Sequence, residues 1–262
     1  MLRIELRKVF NTKLLYVSIV LGCVSCLLGL ISYGEDVAIY RQVGREELIS
    51  SYQCWLNCLA MGSSVYRLIL PVLIIPYIDS YYVERTSGYQ NFVVSRCGRS
   101  RYFFSKWFAG ICSVAVVIFL TLGITMLVCF TLYPENIPMA ENTYINYPYM
   151  QEFFIEKPVQ LIMILFATNI ILSMIYYTLG FGVSCHAKNR YEVILAPVEM
   201  YFLNLLLSQF LNVPALSPIA VVAPFELGGL SLTAVLCVAG ALTSIALLSL
   251  MNCYRKDIRE LP

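Results

Sequence analysis

The sequence predicts an all-α integral membrane protein with six transmembrane helices preceded by an amphipathic interfacial helix. Composition is the first reason. Apolar residues make up 59% of the 262 residues and charged residues only 13%, about half the ~25% usual in soluble domains. Lipid can solvate so much apolar surface, whereas a soluble fold of this size could not bury it. Run length is the second reason. Leu14–Tyr33, Trp107–Tyr133, Pro158–Cys185, Met200–Phe225 and Leu227–Tyr254 carry no charge, and each is long enough for the roughly 20 residues that cross ~30 Å of hydrocarbon. Charge placement is the third. With six spans, fourteen of the 18 basic residues fall on one face, against Arg41, Arg45 and Lys157 on the other and Arg67 within a span. The positive-inside rule then puts both termini in the cytoplasm of a multi-pass plasma-membrane protein.

Each element follows in order. Residues 1–12 place Leu2, Leu6, Val9 and Phe10 on one helical face and Arg3, Arg7 and Lys8 elsewhere, which predicts a short basic helix among the headgroups. The first span, about 14–33, is too long for a signal-peptide core, and Ser32-Tyr33-Gly34-Glu35 is no cleavage site. The second, 59–82, is the least regular. It holds Arg67 and Asp79, and Pro71 and Pro76 are expected to bend it. Further spans are expected at 107–132, 159–184, 193–212 and 229–253, with Pro197 bending the fifth. Between the first two spans, residues 34–57 are polar and leave room for a short helix. Residues 134–156 are rich in tyrosine (Tyr144, Tyr147, Tyr149), with Phe153 and Phe154 behind, and suggest an interfacial lid. In 213–228, Pro214, Pro218 and Pro224 preclude one continuous helix and predict short re-entrant pieces. The whole chain, 1–262, reads as a single transmembrane domain.

Ten cysteines do not read as a disulfide framework. Cys23, Cys26, Cys112, Cys129 and Cys237 fall in spans, and Cys97, Cys185 and Cys253 at the cytoplasmic side. Cys54 and Cys58, four apart on a helix, are poorly set to bridge each other. Cys23-Val-Ser-Cys26 lies mid-membrane, where cysteine serves as small apolar filler. His186 is the only histidine, and no Ser-Lys or paired-Asp arrangement suggests an intramembrane protease. No metal ligand and no catalytic residue is expected. No G-x-x-x-x-G-K-[ST] stretch cradles phosphate, so the chain is not expected to be an ATPase.

The richest segment is the cytoplasmic loop 83–106. Glu84 and Arg85 are followed by Gly88, then by Tyr89 to Ser95, where Phe92, Val93 and Val94 interrupt the polar residues. A basic turn holds Arg99 and Arg101, and Lys106 opens the third span. In this arrangement the chain resembles the ABC-2 family of ABC transporter permeases, whose members carry an acidic residue after the second span, a glycine, a short helix, a basic turn and a lysine. Where the family usually has a proline before the basic turn, this chain has Cys97-Gly98. The resemblance extends to the whole plan and implies an ABC-2 type exporter fold. It implies that Glu84, Arg85, Gly88, Tyr89, Phe92, Arg99, Arg101 and Lys106 couple to a separate ABC ATPase subunit, which would bind the ATP-Mg, while this chain binds no cofactor. It further implies a homo- or heterodimer of permease subunits exporting a hydrophobic or amphipathic substrate such as a peptide, lantibiotic or drug, with a possible self-immunity role. Membrane lipid is a partner and nucleic acid is not. The alternative is a non-transporting membrane sensor or assembly protein that binds a cytoplasmic partner through the same loop.

Charges inside spans cost about 2.5–3.5 kcal/mol even on permissive scales and are functional candidates by default. Arg67 and Glu199 fall in spans two and five, which the resemblance implies line the substrate path. With Asn204 they form the candidate translocation path.

Overall fold

The computed structural model describes residues 1–60, 65–136, 154–224 and 232–260. In chain order the helices are α1 (Leu2–Phe10), α2 (Lys13–Gln42), α3 (Ser51–Leu59), α4 (Tyr66–Leu73), α5 (Ser80–Thr86), α6 (Tyr89–Cys97), α7 (Arg99–Leu132), α8 (Pro158–Val183), α9 (Arg190–Phe210), α10 (Pro218–Val222) and α11 (Leu232–Glu260). Among the described residues there is no sheet. Five helices (α2, α7, α8, α9 and α11) are long and apolar enough to cross a membrane, the arrangement of a multi-pass membrane protein. Several run past the charge-free stretches. α2 continues through Glu35, Asp36 and Arg41, and α7 begins at Arg99, because helical hydrogen bonding need not stop where hydrocarbon does.

Residues 59–82 are not one long helix, which corrects the sequence expectation of a continuous second span. Helix α3 ends at Leu59, α4 covers only Tyr66–Leu73, and a non-helical stretch precedes α5. Two causes are local. Pro71 and Pro76 each remove a backbone donor, and Tyr77 adopts a left-handed φ of 71°, which ends helix propagation. A third is packing. Ile74, Tyr77 and Ile78 at the break are buried, although Val65, Leu68 and Val72 before it are exposed, so the interrupted backbone itself is sheltered by protein, where it is tolerated at membrane depth.

Helix α8 lies at the centre against α7, α9 and α11, while α7 also packs on α1, α2 and α3. The α2–α3 crossing is backbone on backbone. A Cβ on Gly29 would stand 2.6 Å from the Cys58 Cα, and the Asn57 Nδ2 donates to the Gly29 carbonyl at 2.9 Å. Residues 213–224 form a turn at Pro214–Leu216 and the short α10, capped by the Ser217 hydroxyl. Tyr144, Tyr147, Tyr149 and Phe153 of the expected lid lie outside the described residues, while Phe154 is buried. Cys185 and Cys253 form a disulfide between the end of α8 and α11, with Cα atoms 5.3 Å apart. That pairing departs from the expectation of unbridged cysteines, since helices distant in sequence bring the two together.

Candidate functional site

The loop 83–106 folds as two short helices, α5 and α6, followed by the start of α7. Glycines at both ends of α6 permit this. Gly88 has φ 75° and ψ −2°, and Gly98 has φ 79° and ψ 149°, the latter in a region open essentially to glycine alone. Gly98 fills the place where the resemblance expects a proline, and it makes a sharp corner between α6 and α7.

At the root of this corner is a buried cluster of two carboxylates and two ammonium groups. The Lys106 Nζ, with a side chain only 1% exposed, lies 2.7 Å from Glu84 Oε1 and 3.0 Å from Glu5 Oε2. The Lys8 Nζ, 35% exposed, lies 2.9 Å from the same Glu84 oxygen and 3.0 Å from Glu5 Oε1. Two tyrosine hydroxyls complete it. Tyr102 donates to Glu84 Oε2 at 2.8 Å and Tyr77 donates to Glu5. The Lys106 Nζ also donates to the Tyr77 hydroxyl at 3.3 Å. Two negative charges thus meet two positive ones, with the carboxylate oxygens hydrogen-bonded as buried ions require. Burial raises the Glu84 pKa, but the Lys106 charge and the hydrogen bonds from Lys106, Lys8 and Tyr102 outweigh it, and the net shift is below the usual carboxylate value. For Lys8, burial lowers the pKa and bonding to Glu84 and Glu5 more than compensates, raising it.

A second set of contacts ties α5, α6 and the start of α7 to the C-terminal helix and to the end of α8. The buried Gln90 Nε2 and the Tyr81 hydroxyl both donate to Asp257 Oδ1 at 2.7 Å. Arg99 donates to the Ile258 carbonyl at 2.9 Å, and Arg85 to the Cys185 carbonyl at 2.7 Å. The opposite face of α6 is open. Phe92 is 73% exposed, Tyr89 is exposed beneath the Lys8 ammonium, and Arg96 is exposed. Arg101 is exposed at the start of α7.

The structure therefore brings Glu84 and Lys106 into direct contact, puts Gly88 at a turn, and gives Arg85 and Arg99 backbone partners. Glu5, Lys8, Tyr77 and Tyr102 escaped sequence reasoning. A signal for Glu5 was present: a carboxylate three and four residues from Leu2 and Val9, on the apolar face of a basic helix.

The candidate path residues separate. Arg67 is buried on α4, its Nε donating to the Leu59 carbonyl, whereas Glu199 is exposed on α9 and no ion pair joins the two. Asn204 is buried and donates to the Tyr176 hydroxyl at 2.7 Å. It belongs to a polar seam between α4, α8 and α9, in which Tyr201 donates to the Arg67 carbonyl at 2.6 Å and Tyr66 to Asn169 Oδ1 at 3.4 Å. His186 is exposed on a cleft of about 790 Å³ that Arg255 and Lys256 share with Met200 and Leu248.

Compared with protein-family models, curated proteins and solved structures, the chain matches none.

Proposed function

We propose that this chain is the membrane-spanning subunit of an ATP-driven exporter of the ABC-2 type, with α6 as the helix that couples it to a separate ATPase. One observation carries the reading. Helix α6 is fastened on its inner side by Gln90–Asp257 and at its root by the Glu84–Lys106 cluster, yet it presents Phe92, Tyr89 and Arg96 outward. An element so held moves as a rigid body with α1, α7 and α11, so a push on its exposed face reaches the long helices. A protruding aromatic beside an arginine has the composition of an interface anchor.

In this reading both termini and α6 are cytoplasmic, and residues 51–79 act as a broken second passage that brings the count to six. The buried seam of Arg67, Tyr201, Tyr176 and Asn204 is then the part of the path nearest the centre of the subunit. Two such chains pair across the membrane, and the substrate is hydrophobic or amphipathic.

The test is co-expression with candidate ATPase subunits, followed by co-purification in detergent and measurement of ATP hydrolysis. Phe92→Asp is expected to weaken association by about 30-fold or more, the factor for a lost aromatic anchor of about 2 kcal/mol. It should leave thermal stability unchanged, because the side chain faces solvent. Retention of the ATPase at full affinity by Phe92→Asp and Arg96→Glu would overturn the assignment of α6. Capture of another cytoplasmic protein and no ATPase would replace it with the sensor or assembly reading.

A further inference from the structure

At the end of the bundle away from α1, three thiols converge. The Cys54 and Cys129 sulfurs lie 3.4 Å apart, Cys58 and Cys129 are 4.0 Å apart, and all three sulfurs lie within 4.8 Å of one another. Cys54 and Cys58 stand one turn apart on α3, and α7 brings Cys129 to both. All three are free thiols and completely buried. We propose that Cys54, Cys58 and Cys129 form a three-thiolate site for a soft d10 cation, Cu(I) being the best fit.

Size is the first argument. A metal with sulfurs at about 2.3 Å spaces them about 4.0 Å apart in a planar trigonal site and about 3.8 Å in a tetrahedral one. The observed spacings bracket both values, so small side-chain rotations close the site without backbone movement. Ligand chemistry is the second. Thiolates select soft ions such as Cu(I), and among the described residues no histidine or carboxylate joins the trio. All three cysteines are completely buried, which disfavours the water that Zn(II) would take as a fourth ligand. Helix geometry is the third, since cysteines four apart on one face are poorly set to bridge each other but present two sulfurs to a shared ion.

A surface cleft opens about one helical turn from the trio. A cleft of about 430 Å³ is lined by Glu46, Glu47, Arg41, Ile49, Tyr133 and Asn136. Tyr133 follows Cys129 by one turn of α7, its N–H donating to the Cys129 carbonyl. Ser50, next to the lining Ile49, precedes Cys54 by one turn, and the Cys54 N–H donates to its carbonyl. Two carboxylates against one guanidinium at the mouth favour a cation. As three S–Cu bonds form, three S–H bonds release their protons to solvent, so loading weakens as pH falls.

The experiment uses the full chain, purified in detergent under reductant and titrated with Cu(I) against a colorimetric Cu(I) chelator. One ion per chain should be retained, with X-ray absorption reporting sulfur ligands only. Cys54→Ser, Cys58→Ser and Cys129→Ser should each lower affinity at least about tenfold, while the Cys23→Ser/Cys237→Ser double variant binds as before. A measurement on the unsubstituted chain guards against misfolded variants: bound Cu(I) should shield Cys54, Cys58 and Cys129 from a membrane-permeant maleimide. The proposal falls if the unsubstituted chain retains no Cu(I), or if the triple serine variant retains as much. It also falls if Zn(II) displaces Cu(I), or if mass spectrometry finds Cys54 and Cys129 already bridged in the reductant-purified protein.

Discussion

Replacing Lys106 with methionine removes the central positive charge from the Glu5–Glu84 cluster while roughly keeping side-chain volume. The structure allows the magnitude to be worked. Lys106 makes ion contacts at 2.7 and 3.0 Å to both carboxylates and is essentially unexposed, so its loss leaves buried negative charge with reduced compensation. Removing one partner of a buried pair costs about 3–5 kcal/mol. Lys8 touches the same two carboxylates at similar distances, but its side chain is 35% exposed, and exposed pairs contribute about 0–1 kcal/mol. The two lysines therefore predict unequal losses. For a protein of this size, about 3–5 kcal/mol lowers Tm by roughly 6–20 °C, whereas Lys8→Met should lower it by no more than a few degrees. Thermal unfolding of the detergent-purified protein, followed with a thiol-reactive dye that reports the buried cysteines, reads both. Adding Glu84→Gln to Lys106→Met should recover part of the loss, because the orphaned carboxylate is then neutral. Equal shifts for the two lysine variants, or no rescue by Glu84→Gln, would refute the idea that Lys106 holds the cluster together.

Two further outcomes follow. The depressed pKa of Glu84 means that its contribution to stability is present above the ordinary carboxylate value of 4.5 and is lost as pH falls through the lower folded value. The raised pKa of Lys8 adds a contribution that is present below 10.5 and lost as pH rises through its higher folded value. Tm measured against pH should thus hold through neutrality and fall at both extremes, and Glu84→Gln should flatten the acid limb. Gly29→Ala should destabilise by about 1–3 kcal/mol, because its Cβ meets the Cys58 backbone rather than a movable side chain. Gly123→Ala, with open space around the Cβ position, serves as its control in the same melts.

How much of this was legible in the sequence depended on distance along the chain. The absence of charge over 20 or more residues located four of the five long helices, because hydrocarbon imposes that condition on each segment separately. The run Met200–Phe225 overlaps only the second half of α9, which holds Arg190, Glu192 and Glu199 in its first half. Residues 59–82 satisfied nearly the same condition yet form no long helix. Composition cannot distinguish lipid from a protein interior, and only the latter tolerates the break at Tyr77. Glu84 and Lys106 were singled out as parts of one loop, but their contact with each other and with Glu5 and Lys8 depends on α1 folding back against α7. That packing joins residues about a hundred positions apart and leaves little local trace. The same holds for Cys54, Cys58 and Cys129. The first two are recognisable as a helical pair, but the third stands 71 residues beyond Cys58.

The Glu5–Lys106 contact also fixes an order of manufacture. Glu5 leaves the ribosome about a hundred residues before its partner, which at 5–20 residues per second is a wait of roughly 5–20 seconds. Until Tyr77 and then Lys106 have been made, the carboxylate on the apolar face of α1 has only Lys8 of its three side-chain partners, so the cluster cannot close. Only once α7 has been made can α1, α5 and α7 lock together. The ion cluster is thus a late fastening, which can form only after the chain has been made through Lys106.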